Sequence, residues 1–314
     1  MTPEQKRRFA DDVIAGLSAP QPDIPCKYLY DERGSKLFEA ICETDDYYVT
    51  RADIALHEAH VDEIEAAIGP DAHIIEFGSG AGIKIRIILG SADHVRAYTA
   101  IEISRQALAQ AAAELRRDFP ELEIHSLAAD YTHDIDTELF RLDPPARRRV
   151  IYFPGSTISN FTHEDAHAFL GRMARMAGTG GGVLIGVDRV KSRERLIRAY
   201  DDSEGVTAEF NRNLLRRLKT ELGAEIDEDA FAHRARYVEA LERIEMHLEA
   251  VRDTAITVDG QRFEFAAGDT IHTENSHKYS VESFKALLPG TGLELNTTWT
   301  DPEELFSMHY LEVV

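Results

Sequence analysis

The sequence predicts an α/β protein whose mostly parallel sheet ends in an antiparallel hairpin, together with a smaller α+β domain. Five short apolar segments between residues 70 and 190 alternate with helical stretches, which favours parallel strands with helices on both faces. Two further apolar segments, at 293–299 and 306–314, are joined by a short loop and predict the hairpin. Residues 1–53 and 190–277 do not follow the alternation, so we expect them to form the smaller domain.

The individual elements are predicted from apolar runs and from the residues that end them. The five strands of the sheet are predicted at 73–77, 97–102, 122–127, 150–153 and 182–188. Residues 104–117 are rich in alanine and predict a helix, and residues 164–176 have the spacing of an amphipathic helix. Asp259 and Gly260, within residues 256–265, are typical of a β-hairpin turn.

We expect each of the two domains to be built from two separated stretches of chain. The length of 314 residues suits a main domain with a second, smaller one. Residues 54–189 and 278–314 hold the predicted sheet. Residues 1–53 and 190–277 would form a substrate-binding domain, whose second stretch is inserted before the last strands of the sheet.

Composition and charge restrict the classes of function. The formal net charge is -21, and an acidic surface repels phosphate backbones, so we expect no nucleic-acid partner. No segment approaches the roughly 20 apolar residues needed to cross a bilayer, so we expect no membrane association. Cys26 and Cys42 form no disulfide or zinc pattern, which indicates a reducing compartment. We therefore expect a cytoplasmic monomer that acts on a small molecule.

A glycine-rich loop follows the first predicted strand. Glu76, Gly78 and Gly80 form an E-x-G-x-G pattern before a helix, where glycine permits a tight turn and the close approach of a ligand to backbone N–H groups. A dinucleotide fingerprint would require a third glycine at position 83, which is Ile83. The spacing instead matches the loop of S-adenosylmethionine enzymes, although a glycine-rich turn without a ligand can have the same pattern.

Acidic residues follow the next two predicted strands. A carboxylate at Glu102 can accept hydrogen bonds from ribose hydroxyls, and Asp130, beside Tyr131, can accept from an adenine amino group. Ligands of open α/β sheets bind at the carboxyl ends of strands, although either acid alone could cap a helix. A terminal hairpin is typical of class I methyltransferase domains. Together these features predict a Rossmann-like class I methyltransferase sheet that binds S-adenosylmethionine and releases S-adenosylhomocysteine.

Several long strings of the sequence are unusual and highly specific. They are KYLYDERGSKLF (27–38), YYVTR (47–51), PGSTISN (154–160), RAYDD (198–202), GVTAEFNRN (205–213) and ERIEM (242–246). With these strings the chain resembles, over nearly its whole length, the histidine-specific Nα-methyltransferases of ergothioneine biosynthesis. The resemblance implies conversion of the α-amine of free L-histidine to N,N,N-trimethylhistidine, called hercynine, as the first step of that biosynthesis.

The resemblance also implies roles for particular residues. The substrate carboxylate would be bound by Asn160 and Tyr200. The amine would be surrounded by Tyr30, Gly155 and Thr207, with Phe38 lining that region. The imidazole pocket would be formed by Tyr47, Met246, Glu274 and Ser276. The cofactor would be bound by Gly78, Gly80, Lys84, Glu102, Asp130 and Tyr131. Two features depart from the family pattern, since Glu102 stands where aspartate is usual and residues 80–86 lack the usual hydroxyl side chains.

The expected chemistry is methyl transfer from a sulfonium by in-line displacement, in which the attacking amine must first lose its proton. The protein supplies alignment and polar groups for this step. Tyr30 can accept a hydrogen bond from the amine and orient its lone pair, so we count it with Asn160 and Tyr200 as catalytic. An aromatic side chain such as Phe38 suits a trimethylammonium product. We expect no metal, because the sequence shows no His/Cys cluster with metal-ligand spacing. The histidines weighed for this role are His163, His167, His272 and His277.

Other interpretations of the same residues remain open. The chain could methylate another free amino acid, for instance a tryptophan derivative, although Glu274 and Met246 favour an imidazole over a bulkier indole. It could bind the cofactor as a regulator without catalysis, or methylate a protein or nucleic acid, which the charge and the amino-acid site disfavour. Singly, Asn160 could cap the next helix, Met246 could fill the core, and Glu274 could be a surface acid.

Overall fold

A computed structural model of the chain describes residues 1–80, 82–91, 95–102, 105–131 and 133–314. The helices of these residues are α1 (Pro3–Leu17), α2 (Glu32–Glu43), α3 (Val49–Ile68), α4 (Ile83–Ser91), α5 (Arg105–Asp118), α6 (His163–Ala177), α7 (Arg193–Tyr200), α8 (Val206–Arg217) and α9 (Val281–Lys285). The strands are β1 (Ala72–Phe77), β2 (Val95–Glu102), β3 (Glu123–Ala128), β4 (Arg148–Phe153), β5 (Gly182–Asp188), β6 (Glu225–Ile226), β7 (Phe231–Val238), β8 (Arg243–Ala250), β9 (Thr254–Val258), β10 (Gln261–Phe265), β11 (Thr270–His277), β12 (Leu293–Thr300) and β13 (Phe306–Val313).

The main sheet has the strand order β12-β13-β5-β4-β1-β2-β3. The pairs within β1 to β5 are parallel, whereas β13 runs antiparallel to both β5 and β12. Every residue of β1 and of β5 is buried, as expected of strands covered on both faces by helices. The prediction of a Rossmann-like sheet with a C-terminal antiparallel hairpin is therefore confirmed.

The predicted elements agree with the structure to within a few residues at their ends. The predicted hairpin at 256–265 consists of β9 and β10, and Asp259 at its turn has a positive φ of 49°. The predicted helix at 164–176 is α6, which begins after the N-cap Thr162. The predicted helix at 104–117 is α5, although its predicted first residue, Ser104, lies outside the described residues, as does Ala81 of the glycine loop.

The core of the main sheet lies between its central strands and α6. Buried side chains on β1, β4 and β5 pack against the apolar face of α6, where Phe77, Phe153 and Phe169 make contact at ring-centroid distances of 5.2 to 6.1 Å. Each large apolar side chain buried in this way stabilises the fold by about 1.5–3 kcal/mol relative to its exposure. This core holds the carboxyl ends of β1 and β4 in fixed positions.

The chain divides into two compact units. The sheet unit consists of Val49–Val190 and Tyr279–Val314, and the small unit consists of Met1–Tyr48 and Lys191–Lys278. The sequence-based boundaries at 53/54, 189/190 and 277/278 differ from these by a few residues. In the small unit, β11, β8 and β7 form one antiparallel sheet and β10, β9 and β6 form another, with α8 packed on β7 and β8.

Among the described residues, no helix is both long enough and apolar enough to cross a membrane.

Candidate active site

The glycine loop of the sheet unit begins directly after β1. Gly78 and Gly80 both have positive φ angles, 68° and 48°, which glycine adopts without strain. A Cβ atom on Gly78 would stand 3.6 Å from the ring of Tyr131, and the Gly78 N–H donates to the carbonyl of Ile101 at the end of β2. The loop therefore turns sharply and leaves its backbone open to close approach.

The predicted cofactor acids lie at the carboxyl ends of neighbouring strands. Phe77 of β1 is paired with Ile101 of β2, and Glu102 of β2 is paired with the last residue of β3. Asp130 and Tyr131 follow β3, and the Tyr131 ring stacks on Phe77 at 5.5 Å with an interplanar angle of 5°. A glycine loop, two acids and an aromatic ring at one edge of the sheet suit an adenosyl group, which offers hydroxyl and amino donors and a flat ring.

Glu76, the first residue of the loop pattern, is wholly inside the sheet unit. The hydroxyl of Tyr98 donates to its Oε2 at 2.5 Å. Burial raises the pKa of Glu76 to about 8. At neutral pH this carboxyl therefore acts as a largely protonated partner of Tyr98 rather than as an exposed charge.

Lys84 of α4 is held by a buried acid that sequence reasoning did not identify. Asp53 on α3 accepts a hydrogen bond from the Gly155 N–H at 2.9 Å and lies 3.1 Å from Lys84 Nζ through the same oxygen, Oδ2. Burial acts to raise the pKa of Asp53, but the Lys84 and His57 side chains outweigh it, so the pKa lies below the usual range. Asp53 thus joins the predicted cofactor residue Lys84 to the loop after β4.

A histidine and a tyrosine extend this buried network. His57 Nδ1 lies 2.7 Å from the Asp53 carbonyl oxygen and therefore donates to it, and His57 Nε2 then accepts from the Tyr152 hydroxyl at 2.6 Å. Both His57 and Tyr152 are fully buried. These contacts hold the backbone at Asp53, while its second carboxylate oxygen, Oδ1, lies 3.3 Å from His57 Nδ1 and makes no hydrogen bond within the described residues.

The loop after β4 carries Gly155 and Asn160. Gly155 and Ser156 both have positive φ, and Ser156 Oγ accepts from the backbone N–H of Asp188 at 2.8 Å, which anchors the loop to β5. Asn160 ends a 3₁₀ turn, Thr157–Asn160, and is half-buried. The cap of α6 is Thr162, so the alternative interpretation of Asn160 as a helix cap is not supported.

In the small unit, the aromatic residues predicted for the amine, imidazole and carboxylate sites form a continuous group of rings. Tyr30 lies 5.6 Å from Phe38, Phe38 lies 6.2 Å from Tyr47, and Tyr47 lies 6.0 Å from Tyr200, measured between centroids. Phe210 of α8, which we did not predict as a site residue, contacts both Tyr30 and Phe38 at 5.3 and 6.1 Å. Phe210 lies in the string 205–213, one of the strings on which the family resemblance depends, and this position could have indicated it as a site residue.

Thr207 lies at the beginning of α8, where an aspartate holds the backbone. Asp202 accepts from the N–H groups of Val206 and Thr207 at 2.9 and 2.7 Å. The Thr207 side chain is buried. The aspartate therefore fixes the first turn of the helix that also presents Phe210.

The predicted imidazole-site residues are brought together by the pairing of β8 with β11. Glu274 lies opposite Met246, and Ser276 follows two residues later on the same strand and face. The Glu274 side chain is buried, and its Oε2 has no hydrogen-bond partner within the described part of the chain. Burial raises the pKa of Glu274 to about 7, against the opposing attraction of Lys278. Glu274 is therefore not a surface acid.

Tyr200 is fixed at both ends by the small unit. Its hydroxyl lies 2.7 Å from Ser276 Oγ and accepts from Lys278 Nζ at 3.0 Å. Its backbone carbonyl accepts from His233 Nε2 at 2.8 Å, and His233 is held in turn by Asn211. The side chain predicted to bind the substrate carboxylate thus has a defined position in its own unit.

One of the histidines considered as a possible metal ligand lies in a cluster. His272 lies directly opposite His247 on β8, and these two residues and Glu245 have potential ligand atoms within 4.8 Å of one another. Glu245 is already paired with Arg243, and Arg234 and Arg236 lie opposite His247 and Glu245 on β7. This positive charge opposes a divalent cation, so we assign no metal to the cluster.

Comparison with known proteins identifies the family of the chain. The terminal hairpin and the glycine loop followed by two strand-end acids define a class I methyltransferase. Residues 9–313 match the family described as histidine-specific, S-adenosylmethionine-dependent methyltransferases, and the chain belongs to that family. It is therefore an enzyme that uses S-adenosylmethionine.

Individual relatives resemble the chain over most of its length. The histidine N-alpha-methyltransferase of Mycolicibacterium smegmatis is 37% identical over 95% of this chain and 92% of its own. Ergothioneine biosynthesis protein 1 of Neurospora crassa is 32% identical over 92% of this chain and 33% of its own. A 4-dimethylallyltryptophan N-methyltransferase of Aspergillus fumigatus is 24% identical over 93% of this chain and 90% of its own.

The cofactor assignment of Asp130 can be tested by binding. Asp130→Ala should weaken S-adenosylhomocysteine binding by roughly tenfold or more, because a charge-assisted hydrogen bond to the adenine would be lost. Asp134→Ala, an exposed acid four residues along the chain, is the matched control and should bind normally. Equal calorimetric affinity of a folded Asp130→Ala protein and the parent would rule out this role.

Proposed function

We propose that this enzyme transfers three methyl groups from S-adenosylmethionine to the α-amine of free L-histidine, giving N,N,N-trimethylhistidine (hercynine), the first step of ergothioneine biosynthesis. The family and the names of the relatives support this proposal. The observation that carries the choice of substrate is Glu274, a buried carboxylate whose Oε2 has no partner among the described residues. Such a group is costly unless a ligand N–H meets it.

The surroundings of Glu274 favour an imidazole over an indole. Ser276 offers a hydroxyl on the same face, and an imidazole has two nitrogens that can meet the carboxylate and the hydroxyl together. Met246, only 1% exposed, lies opposite Glu274 and limits the size of a ring that fits there. A tryptophan derivative, the substrate class in the name of the Aspergillus relative, offers one N–H on a bulkier ring, so we propose histidine.

The proposed mechanism needs an aligned, deprotonated amine. Bound S-adenosylmethionine would supply a methyl group on a sulfonium: the amine nitrogen would attack the methyl carbon in line, the C–S bond would break, and S-adenosylhomocysteine would leave. We assign the Tyr30 hydroxyl to accept a hydrogen bond from the amine and to orient its lone pair, while water removes the proton. The rings of Tyr30, Phe38 and Phe210 would stabilise the growing positive charge of the methylated amine. Asn160 and Tyr200 are the proposed ligands of the carboxylate, with Gly155 and Thr207 beside the amine.

The remaining assignments are part of the same proposal. Gly78, Gly80, Glu102, Asp130 and Tyr131 would hold the adenosyl part of the cofactor, with Lys84 nearby. The sheet unit would then be the cofactor-binding domain and the small unit the substrate-binding domain. The net charge of -21 supports a small-molecule substrate over nucleic acid. We also propose a cytoplasmic monomer, and the two cysteines, which form no disulfide within the described residues, are compatible with a reducing compartment.

The function is tested most directly by its products. The purified chain, S-adenosylmethionine and each of the twenty amino acids would be incubated separately, and the products analysed by mass spectrometry. We expect methylated products from histidine, ending at three added methyl groups. Methylation of tryptophan in preference to histidine would favour the related enzyme, and no methylation of any amino acid would favour a regulator.

Recognition of the carboxylate makes a separate prediction. Histidinamide should have a kcat/KM at least roughly 100-fold below that of histidine, because the hydroxyl and amide donors of Tyr200 and Asn160 would lose their charged acceptor. Nα-methylhistidine keeps the carboxylate and is the control, which should be methylated further. If histidinamide reacted within a few-fold of histidine, the carboxylate would not be recognised.

A further inference from the structure

Lys278, the last residue of the small unit, carries a deeply buried ammonium group. Its exposure is 1%, and Nζ donates to Ser276 Oγ at 2.8 Å and to Tyr200 Oη at 3.0 Å. Nζ also lies 4.5 Å from the centroid of the Tyr200 ring. Burial of a charge is unfavourable unless its partners compensate for the lost water. The position of this lysine therefore calls for a role beyond packing.

The three groups form a closed triangle, since Tyr200 Oη and Ser276 Oγ are themselves 2.7 Å apart. An ammonium group has only donors, so it can approach these oxygens only as acceptors. One hydroxyl hydrogen lies between the two oxygens. The other hydroxyl hydrogen cannot be given to Lys278 and must be donated to an acceptor. The lysine therefore fixes the direction in which the pair of hydroxyls donates.

We propose that Lys278 is a positioning residue for amino-acid binding, whose buried ammonium directs the one remaining hydroxyl hydrogen of the Tyr200–Ser276 pair toward the bound substrate. This inference rests on the proposed function, in which Tyr200 meets the α-carboxylate and Ser276 meets the imidazole. A carboxylate and an imidazole lone pair are both acceptors, so either of them can receive this remaining hydrogen. The positive charge behind the donors also favours an anionic group.

The same ammonium influences Glu274, which stands four residues before it on the chain. Lys278 lowers the pKa of Glu274 from the higher value that burial alone would give. Two other titratable groups interact with Glu274, the thiol of Cys26 and the phenol of Tyr47, and burial raises the pKa of each so that both are neutral at pH 7. Loss of the lysine charge should therefore leave Glu274 protonated to a higher pH.

The test uses Lys278→Met, which removes charge and donors, and Lys278→Gln, which keeps a donor without the charge. We expect the histidine KM of Lys278→Met to rise roughly tenfold to a hundredfold, with kcat changed much less. The acid side of the kcat/KM profile should move up by about one pH unit in both variants. The substrate histidine titrates identically with parent and variants. Its titrations therefore cancel when the kcat/KM of a variant is divided by that of the parent at each pH.

Folding is checked by S-adenosylhomocysteine affinity, because the proposed cofactor residues lie in the other unit, and by the melting temperature. Lys285→Met, an exposed lysine on α9, is the matched control and should behave as the parent. Unchanged KM and pH profile in a folded Lys278→Met protein, or loss of folding in both variants, would make Lys278 a structural residue and overturn the inference. If the parent itself did not methylate histidine, the proposed function would be wrong instead.

Discussion

Substitution of Glu274 by alanine and of Met246 by valine in one chain is expected to move the substrate preference from histidine toward tryptophan. The alanine removes the buried carboxylate that would anchor an imidazole N–H. Both substitutions also shorten side chains that lie opposite each other on β8 and β11, which enlarges the proposed pocket on that face. We expect the histidine kcat/KM to fall by a factor on the order of 100 to 1,000, with measurable methylation of tryptophan.

The single variants Glu274→Ala and Met246→Val show whether loss of the carboxylate or the larger pocket contributes more to the change in substrate preference. Glu264→Ala, which removes an exposed acid on β10, is the control for loss of a carboxylate elsewhere in the small unit. The measured quantity is the ratio of kcat/KM for histidine to that for tryptophan. A ratio equal to that of the parent would mean that Glu274 and Met246 are ordinary structural residues, and the proposed substrate choice would lose its basis.

The second large effect is expected for Asp53→Ala. The substitution leaves the Gly155 N–H and the Lys84 ammonium without their shared acceptor, and the Asp53 carboxylate itself is fully buried. Removal of one partner from a buried ion pair typically costs about 3–5 kcal/mol, so the melting temperature at pH 7 should fall by several degrees. Asp62→Ala, an exposed acid on the same helix α3, should have little effect.

The pH dependence of this effect has a definite sign. The pKa of Asp53 is lowered in the folded protein from the usual aspartate value of 3.8, so its contribution to stability is present at neutral pH and is lost as the pH falls through that lowered pKa. The difference in melting temperature between Asp53→Ala and the parent should therefore shrink in acid. A difference that stayed constant down to pH 3 would contradict the assignment of a charged, paired Asp53.

The sheet unit could be predicted from sequence because its signals are local. Buried parallel strands are continuous apolar runs, and the glycine loop, Glu102 and Asp130 each stand at a strand end that the pattern locates. Asp53 and Lys278 could not be predicted in this way. Asp53 meets Gly155 a hundred positions along the chain, and Lys278 meets Tyr200 across β11 and α7, so their importance depends on contacts that no local pattern contains.

The register of β11 shows a second limit of sequence reasoning. Strict alternation would place His272, Glu274 and Ser276 on one face. The pairing shifts at Thr273, as in a β-bulge, so that His272 lies opposite His247 while Glu274 lies opposite Met246 on the other face. The prediction for Glu274 and Ser276 was unaffected because both follow the shift, whereas His272 joined a cluster that we had not expected.

The division of the small unit between two distant stretches of chain has a consequence for its synthesis on the ribosome. The helices α1 and α2 leave the ribosome early, but α8, β8 and β11 are complete only when residue 278 has been added. At 5–20 residues per second, this delay is roughly 10 to 50 s. The apolar face of α1, with Phe9, Val13 and Leu17, contacts the turn at Leu218–Leu222, so part of it stays uncovered until that turn has been added unless a chaperone shields it. The small unit, which we propose binds histidine, thus exposes apolar surface to aggregation while the chain is being made.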